Sequence, residues 1–281
     1  MNAIPDHSAA ASNTPSLFVV GLPRSLSTAI FERARSALSL AAPAWTSAGE
    51  ILNTGRWRML AREDDGDRFT TAHETARFEQ WTRFLDDVVH PRGRAYKDVV
   101  QPFVCARWLA QAQLRGHAPR VLRVRRPLAD VAWSMLEAGW RYPARAAATG
   151  AHDIDRLLSG LLQARDALSE PAAVEVDLDA LMRGEDALAS ALRRLYPDID
   201  DRDIAGTDIA GMGLRFGDDR FRAHSATVLE RRTTPRWRML DARIRTLEAA
   251  TLAESPAETS LHCPAPSSRS LQPRQTAIAG D

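Results

Sequence analysis

An apolar run, Leu17-Phe18-Val19-Val20, ends in Gly21-Leu22-Pro23 and passes through Arg24-Ser25-Leu26 into a helical pattern beginning at Ser27. A short apolar run closed by glycine and proline reads as a strand buried on both faces. Such a strand, followed at once by a helix, belongs to a parallel sheet covered on both sides. The chain repeats this alternation. Ile30, Phe31, Ala34 and Leu38 line one face of a helix over about 27–40, and Phe78, Trp81, Phe84, Leu85 and Val88 recur at helical spacing over 73–89. A strand over 95–100 leads into a helix over 102–114 with proline in its first turn. A Val/Leu-rich strand over 120–124 leads into a helix from Pro127 to about Gly139, and a strand at 174–176 precedes helices reaching about Leu195. The pattern predicts an α/β fold, three layers with a central, mainly parallel sheet flanked by helices, and ligands bind such sheets beyond the carboxyl ends of the strands.

Residues 1–15 and 253–281 are small and polar without sustained periodicity, so they read as a disordered arm and tail around one domain over 16–252. With 37 basic and 36 acidic residues the net charge is +1, which argues against wholesale nucleic-acid binding and leaves room for a local basic pocket. The two cysteines, Cys105 and Cys263, suit a reducing compartment. Neither a basic-then-apolar leader nor a run of about 18 apolar residues is visible. The expectation is a cytoplasmic protein with no membrane span, and oligomeric state stays open. The histidines and cysteines show no metal-ligand spacing.

Three segments carry chemistry. Gly21-Leu22-Pro23-Arg24-Ser25-Leu26-Ser27-Thr28 joins a strand to a helix N-terminus, where unpaired N–H groups and the helix dipole favour an anion. Arg24 adds charge and Ser25, Ser27 and Thr28 add hydroxyls. A Walker loop would have glycine at Leu26 and lysine at Ser27. Further on, Arg125-Arg126-Pro127 leaves a strand end and Ser134 follows on the next helix, an arrangement able to hold a second phosphate. Asp130 shares a helix face with Ser134, and a surface cluster of arginines around it would account for the same residues. The third segment holds the sole lysine of the chain, Lys97, at the end of a strand. A compact ammonium amid arginines suggests a place where a flexible point charge is wanted.

The first two segments together resemble the sulfotransferases that use 3′-phosphoadenosine-5′-phosphosulfate. Pro23-Arg24-Ser25-Leu26-Ser27-Thr28 is similar to that family's P-R-S-G-[ST]-[ST]-like loop, which cradles the 5′-phosphosulfate, with Leu26 where the family usually has glycine. Arg125-Arg126-Pro127 through Asp130-Val131-Ala132-Trp133-Ser134 resembles its R-x-P…D-V-x-x-S-like segment, which binds the 3′-phosphate. The R-x-P pattern points to Arg125 and the usual spacing to serine points to Arg126, so either could serve. Trp45-Thr46-Ser47-Ala48-Gly49-Glu50 resembles an S-x-G-E-like segment that supplies a catalytic glutamate, and Tyr96-Lys97-Asp98 through Pro102 resembles the strand end whose lysine reaches the transferring group.

The resemblance implies a P-loop-like fold and transfer of a sulfuryl group from that donor to an acceptor hydroxyl on a small molecule, glycan or peptide, without a metal. Glu50 would be the base, with a glutamate in the first turn of a helix as the plainer reading and His90 as an alternative base. Lys97 and Arg24 would stabilise the leaving oxygen. Thr233-Thr234-Pro235-Arg236-Trp237-Arg238 resembles a late basic loop over the nucleotide, though a surface helix start also explains it. Segments 51–72 and 136–155, with Trp57, Trp140 and Tyr142, read as irregular and as the acceptor side. An ATP-dependent phosphotransferase and a non-catalytic nucleotide-binding protein are the alternative functions.

Overall fold

The computed structural model describes residues 13–46, 49–53, 75–139, 151–183, 185–198 and 219–254. Four strands, β1 (Leu17–Gly21), β2 (Ala95–Asp98), β3 (Arg120–Arg125) and β4 (Val174–Asp177), form one all-parallel sheet in the order β2-β1-β3-β4. Helices α1 (Ser27–Ala37), α2 (Thr75–Val88), α3 (Pro102–Leu114), α4 (Leu128–Glu137), α5 (Ala151–Ala167), α6 (Leu178–Met182), α7 (Ala187–Leu195), α8 (Asp219–Arg232) and α9 (Pro235–Glu254) surround it.

The alternation of side chains along β1 divides the core into two layers. Phe18 and Val20 face a cluster built from α3, α4, α5 and α9, including Trp108, Val131, Leu161 and Leu240. Leu17 and Val19 face a second cluster with Ile30 and Phe31 of α1 and Leu188 and Leu192 of α7. All five residues of β1 are buried, which explains the unbroken apolar run.

The order of the strands fixes where a ligand can enter. From β1 the chain moves outward to β2, then returns across β1 to β3 on its other side. The carboxyl ends of β1 and β3 therefore flank a switch point, the crevice where open α/β sheets bind ligands. Register sharpens this, because Val20 lies beside Asp98, Gly21 beside Val124, and Arg125 beside Asp177. The ends of all four strands thus finish at one edge.

Two parts of the sequence reading change. Glu50 opens no helix; it sits in a parallel bridge to Lys97, on a segment running along the outer edge of β2. Residues 136–155 are not irregular throughout, since Leu136 and Glu137 end α4 and Ala151–Asp155 begin α5. Residues 54–72 and 140–150 of the segments read as the acceptor side, and the expected arm and tail up to residue 12 and from 255, lie outside the described residues. Among the described residues no helix is long and apolar enough to cross a membrane.

Candidate active site

Gly21 ends β1 at a point of close approach. A Cβ there would lie 3.1 Å from Ser25 Oγ and 3.2 Å from Val124 O, so the bare backbone lets the following loop fold back over β3. Within that loop Arg24 and Leu26 both take left-handed backbone, with φ of 63° and 59°. Each non-glycine residue held there costs about 1 kcal/mol or more, and such strain gathers where a backbone is shaped for a ligand. Leu26 thus adopts the conformation that glycine would take without penalty. As the N-cap of α1 it supplies no side-chain hydrogen bond, and the first turn holds no acidic residue. The amides of Ser27 and Thr28 precede the first hydrogen bond of α1, from Ala29 N–H to Leu26 O. Ser25 Oγ, also buried, has no partner. The loop thus offers donors at a helix N-terminus whose first turn carries no acidic residue.

The loop after β3 meets this point directly. Arg24 Nε donates to Ser134 Oγ on α4 at 3.0 Å, and Arg126 Nη1 donates to the carbonyl oxygen of Arg24. Arg125 makes no such contact with the loop; it is exposed and paired with Asp177 at 3.2 Å. Of the two arginines, Arg126 is the one at the loop. Its side chain is almost fully buried, its Nε has no hydrogen-bond partner, and the nearest carboxylate, Asp130, stands 4.0 Å away. Burial pushes the Arg126 guanidinium below its ordinary value; Asp130 counteracts this, while Arg232, Arg231 and Arg24 push the same way as burial. A buried cation short of partners, beside an orphan serine hydroxyl, is a place prepared for an anion.

In the arginine cluster read from the sequence, Arg126 is buried while Arg125 stays at the surface. Asp130 is occupied elsewhere. Its carboxylate accepts from Arg232 and from Trp237 Nε1 at 2.7 Å, and Arg232 also reaches Asp179. Arg236 lies over the Trp133 ring at 4.7 Å. The α8–α9 junction, including the Thr233–Arg238 stretch, is thereby fastened to α4. Arg232 of α8 escaped the sequence reading; the resemblance of the Thr233–Arg238 stretch pointed toward that junction.

On the other side of the loop, Lys97 Nζ donates to Thr28 Oγ1 at 2.6 Å and to Glu50 Oε1 at 2.8 Å. Lys97 is fully buried, whereas the Glu50 side chain retains 17% exposure. The second oxygen of Glu50 accepts from Asn53 Nδ2 at 2.7 Å. The backbone sets this pair: Lys97 N–H donates to Gly49 O at 2.9 Å and Ile51 N–H donates to Lys97 O at 3.2 Å. His90 lies apart, exposed at the amino end of β2, its N–H donating to Tyr96 Oη. Ser47, Ala48, Trp57, Trp140 and Tyr142 fall outside the described residues.

Sequence comparison adds nothing to the site. No family model and no curated protein matches the chain.

Asp98 is a further residue that motif reading passed over. Its carboxylate accepts from the N–H groups of Leu52 at 2.9 Å, Val100 at 2.7 Å and Gln101 at 3.0 Å, tying the Glu50 segment to the end of β2. Burial pushes its pKa up to about 6; these N–H groups pull it down, and the charge of Glu50 adds to the rise. The unfolded carboxyl titrates near its ordinary value of about 3.9. Because the folded value is the higher one, this carboxyl's stabilising contribution is complete below about pH 4 and is lost as pH rises through about 6. Compared with Asp98→Asn, the wild type should lose about 2 kcal/mol of unfolding free energy between about pH 4 and pH 7. Urea midpoints across that range would show it, and a difference that does not vary with pH would contradict it.

A cavity of about 220 Å³ adjoins Ser25 and Arg126, and Leu22, Leu128, Val131 and Leu168 line it together with Arg123, Arg125, Arg165 and Glu175.

Proposed function

We propose that this protein is a sulfotransferase that moves a sulfuryl group from 3′-phosphoadenosine-5′-phosphosulfate to an acceptor hydroxyl. The observation that carries the reading is the Arg24–Ser134 hydrogen bond with Arg126 on the Arg24 carbonyl, which makes two anion-seeking segments one continuous surface. A donor with phosphates at both the 5′ and 3′ positions of its ribose needs two adjoining anion sites. Arg24, Ser25, Leu26, Ser27 and Thr28 would hold the phosphosulfate end, and Arg126 with Ser134 the 3′-phosphate. The cavity beside Ser25 and Arg126, lined in part by leucines and in part by Arg123, Arg125 and Arg165, offers room for a planar base and further cations for the donor's phosphates.

Chemistry would take place at Glu50 and Lys97. The acceptor hydroxyl attacks sulfur and gives its proton to the Glu50 carboxylate. The bond from sulfur to the 5′-phosphate oxygen breaks, and its electron pair stays on that oxygen, beside Lys97 and Arg24. Lys97 already contacts both Glu50 and Thr28, at the first turn of α1. Moving its ammonium from Glu50 to the departing phosphate would free a carboxylate oxygen for the proton at the same moment. The acceptor would be a small molecule, glycan or peptide, and the setting the cytoplasm.

Binding separates this reading from its rivals. Adenosine 3′,5′-bisphosphate should raise the melting temperature and ATP–Mg²⁺ should not, and Arg24→Ala should remove the shift. A shift with ATP–Mg²⁺ alone would favour phosphoryl transfer. Transfer of labelled sulfate to an acceptor in an extract tests turnover, and binding without transfer would favour a non-catalytic nucleotide-binding protein.

A further inference from the structure

At the opposite end of the sheet from the candidate active site, the amino ends of the strands border an open groove of about 810 Å³. It is lined by Arg92, which precedes β2, by Arg120, the first residue of β3, by Arg194 near the end of α7, and by His117. All four are exposed, and no aspartate or glutamate among the described residues lines the groove. Of the apolar lining, Pro119 and Leu195 are buried and Pro15 and Ala173 half-buried, so apolar residues form the floor and cations the rim.

The rim arginines differ from their neighbours. Arg115, just outside the groove, pairs with Asp86 at 2.9 Å, and Arg193, next to Arg194, pairs with Asp186 at 3.1 Å. Among the described residues none of Arg92, Arg120 and Arg194 meets a carboxylate; Arg92 donates to the neutral amide oxygen of Asn13 at 3.2 Å. Like charges gathered around one groove raise its positive potential and favour a ligand that brings negative charge.

Strand order sets the spacing of these charges. Arg92 and Arg120 stand on either side of β1, and α7, which carries Arg194, packs on β4. Neighbouring strands lie about 4.8 Å apart, so the row covers three spacings, about 14 Å, or roughly four to five residues of extended peptide. No Phe, Tyr or Trp among the described residues lines the groove to stack on a nucleobase. An apolar floor between cations suits a chain in which apolar and acidic side chains take turns. Leu114, between the lining residues Gln113 and Gly116 in the chain, is 90% exposed and sets a large apolar side chain beside the groove.

We propose that this groove docks an acidic segment of a partner protein, an extended stretch in which carboxylates alternate with small apolar side chains. The carboxylates meet Arg92, Arg120 and Arg194, and the apolar side chains lie on the floor between them. Docking there leaves the carboxyl ends of the strands open.

Fluorescence anisotropy of the full chain with a labelled hexapeptide of Glu-Val repeats tests this. Wild type should bind with a dissociation constant on the order of 10–100 µM at about 50 mM salt, weakening on the order of tenfold at about 300 mM. The double substitution Arg92→Ser with Arg194→Ser should weaken binding by about tenfold or more, and Arg194→Ser alone by about threefold. Melting temperatures should stay near wild type, because both side chains are exposed and neither pairs with a carboxylate. Wild type that binds this peptide no better than one of Lys-Val repeats overturns the proposal. So does a double variant that binds as wild type does, or tighter binding of a hexadeoxynucleotide or a heparin hexasaccharide, which makes the groove a general polyanion site. Wild type that sediments as a dimer, with the double variant monomeric, gives the groove to a second copy and overturns it too.

Discussion

Lys97→Met should lower turnover by on the order of 10²–10³ while leaving the affinity for adenosine 3′,5′-bisphosphate within a few-fold of wild type. Methionine keeps the length and apolar body of the lysine stem and removes only the ammonium, which in the folded protein contacts Thr28 Oγ1 and Glu50 Oε1. Breaking a fully buried ion pair costs about 3–5 kcal/mol, because the remaining charge is stranded. Glu50 is less exposed to that penalty, since its side chain is 17% exposed and its other oxygen keeps the Asn53 hydrogen bond. A loss of roughly 1–2 kcal/mol is expected, below the fully buried case. The exposed pair Arg83–Glu79 marks the opposite limit, where removing one partner should change stability by less than about 1 kcal/mol. Steady-state rates beside nucleotide binding give the decisive comparison. A rate within threefold of wild type would take the chemical step away from Lys97.

Gly49→Ala should be the most damaging small substitution near the site. A Cβ at Gly49 would lie 2.3 and 2.5 Å from two carbons of the Phe31 ring, and Phe31 is fully buried in the α1 layer. Its φ of +75° adds backbone strain for any residue with a side chain. Overpacking a core typically costs about 1–3 kcal/mol, and the left-handed backbone adds about 1–2 kcal/mol. A total on the order of 3 kcal/mol is expected. Gly116 separates the two contributions: its φ is +72° and nothing lies within 4 Å of its Cβ position, so Gly116→Ala carries the backbone cost alone. Denaturant unfolding should therefore find Gly49→Ala less stable than Gly116→Ala by about 2 kcal/mol. Equal losses would mean that the Phe31 ring yields freely. Because the Gly49 carbonyl accepts from Lys97 N–H, the same change should displace Glu50 and depress turnover beyond its effect on stability.

Much of the framework was legible because it is written in local patterns. The strands over 95–98, 120–125 and 174–177 and the helices over 102–114 and 128–137 lie within a few residues of where apolar spacing, Pro102 and Pro127 put them. Helix α5 was readable in part, since Leu157, Leu158, Leu161 and Leu162 repeat at helical spacing. Glu50 was harder. A glutamate after glycine suits a helix start as well as a strand edge, and what decides is that Gly49 and Ile51 find their hydrogen-bond partners on Lys97.

The sequence by itself determined the parallel α/β alternation, the hydroxyl- and arginine-bearing loop between β1 and α1, and the lone lysine at a strand end. Each follows from residues within one or two turns of each other. Only the tertiary structure decided that Arg24 reaches Ser134, 110 residues away, and that Arg126 rather than Arg125 turns to the loop. Only it placed His90 at the far end of the sheet and Asp98 beneath Glu50. The physical reason is register. Parallel pairing fixes the ends of the strands against one another to a single residue, and the twofold alternation then sends each neighbouring side chain to a different face.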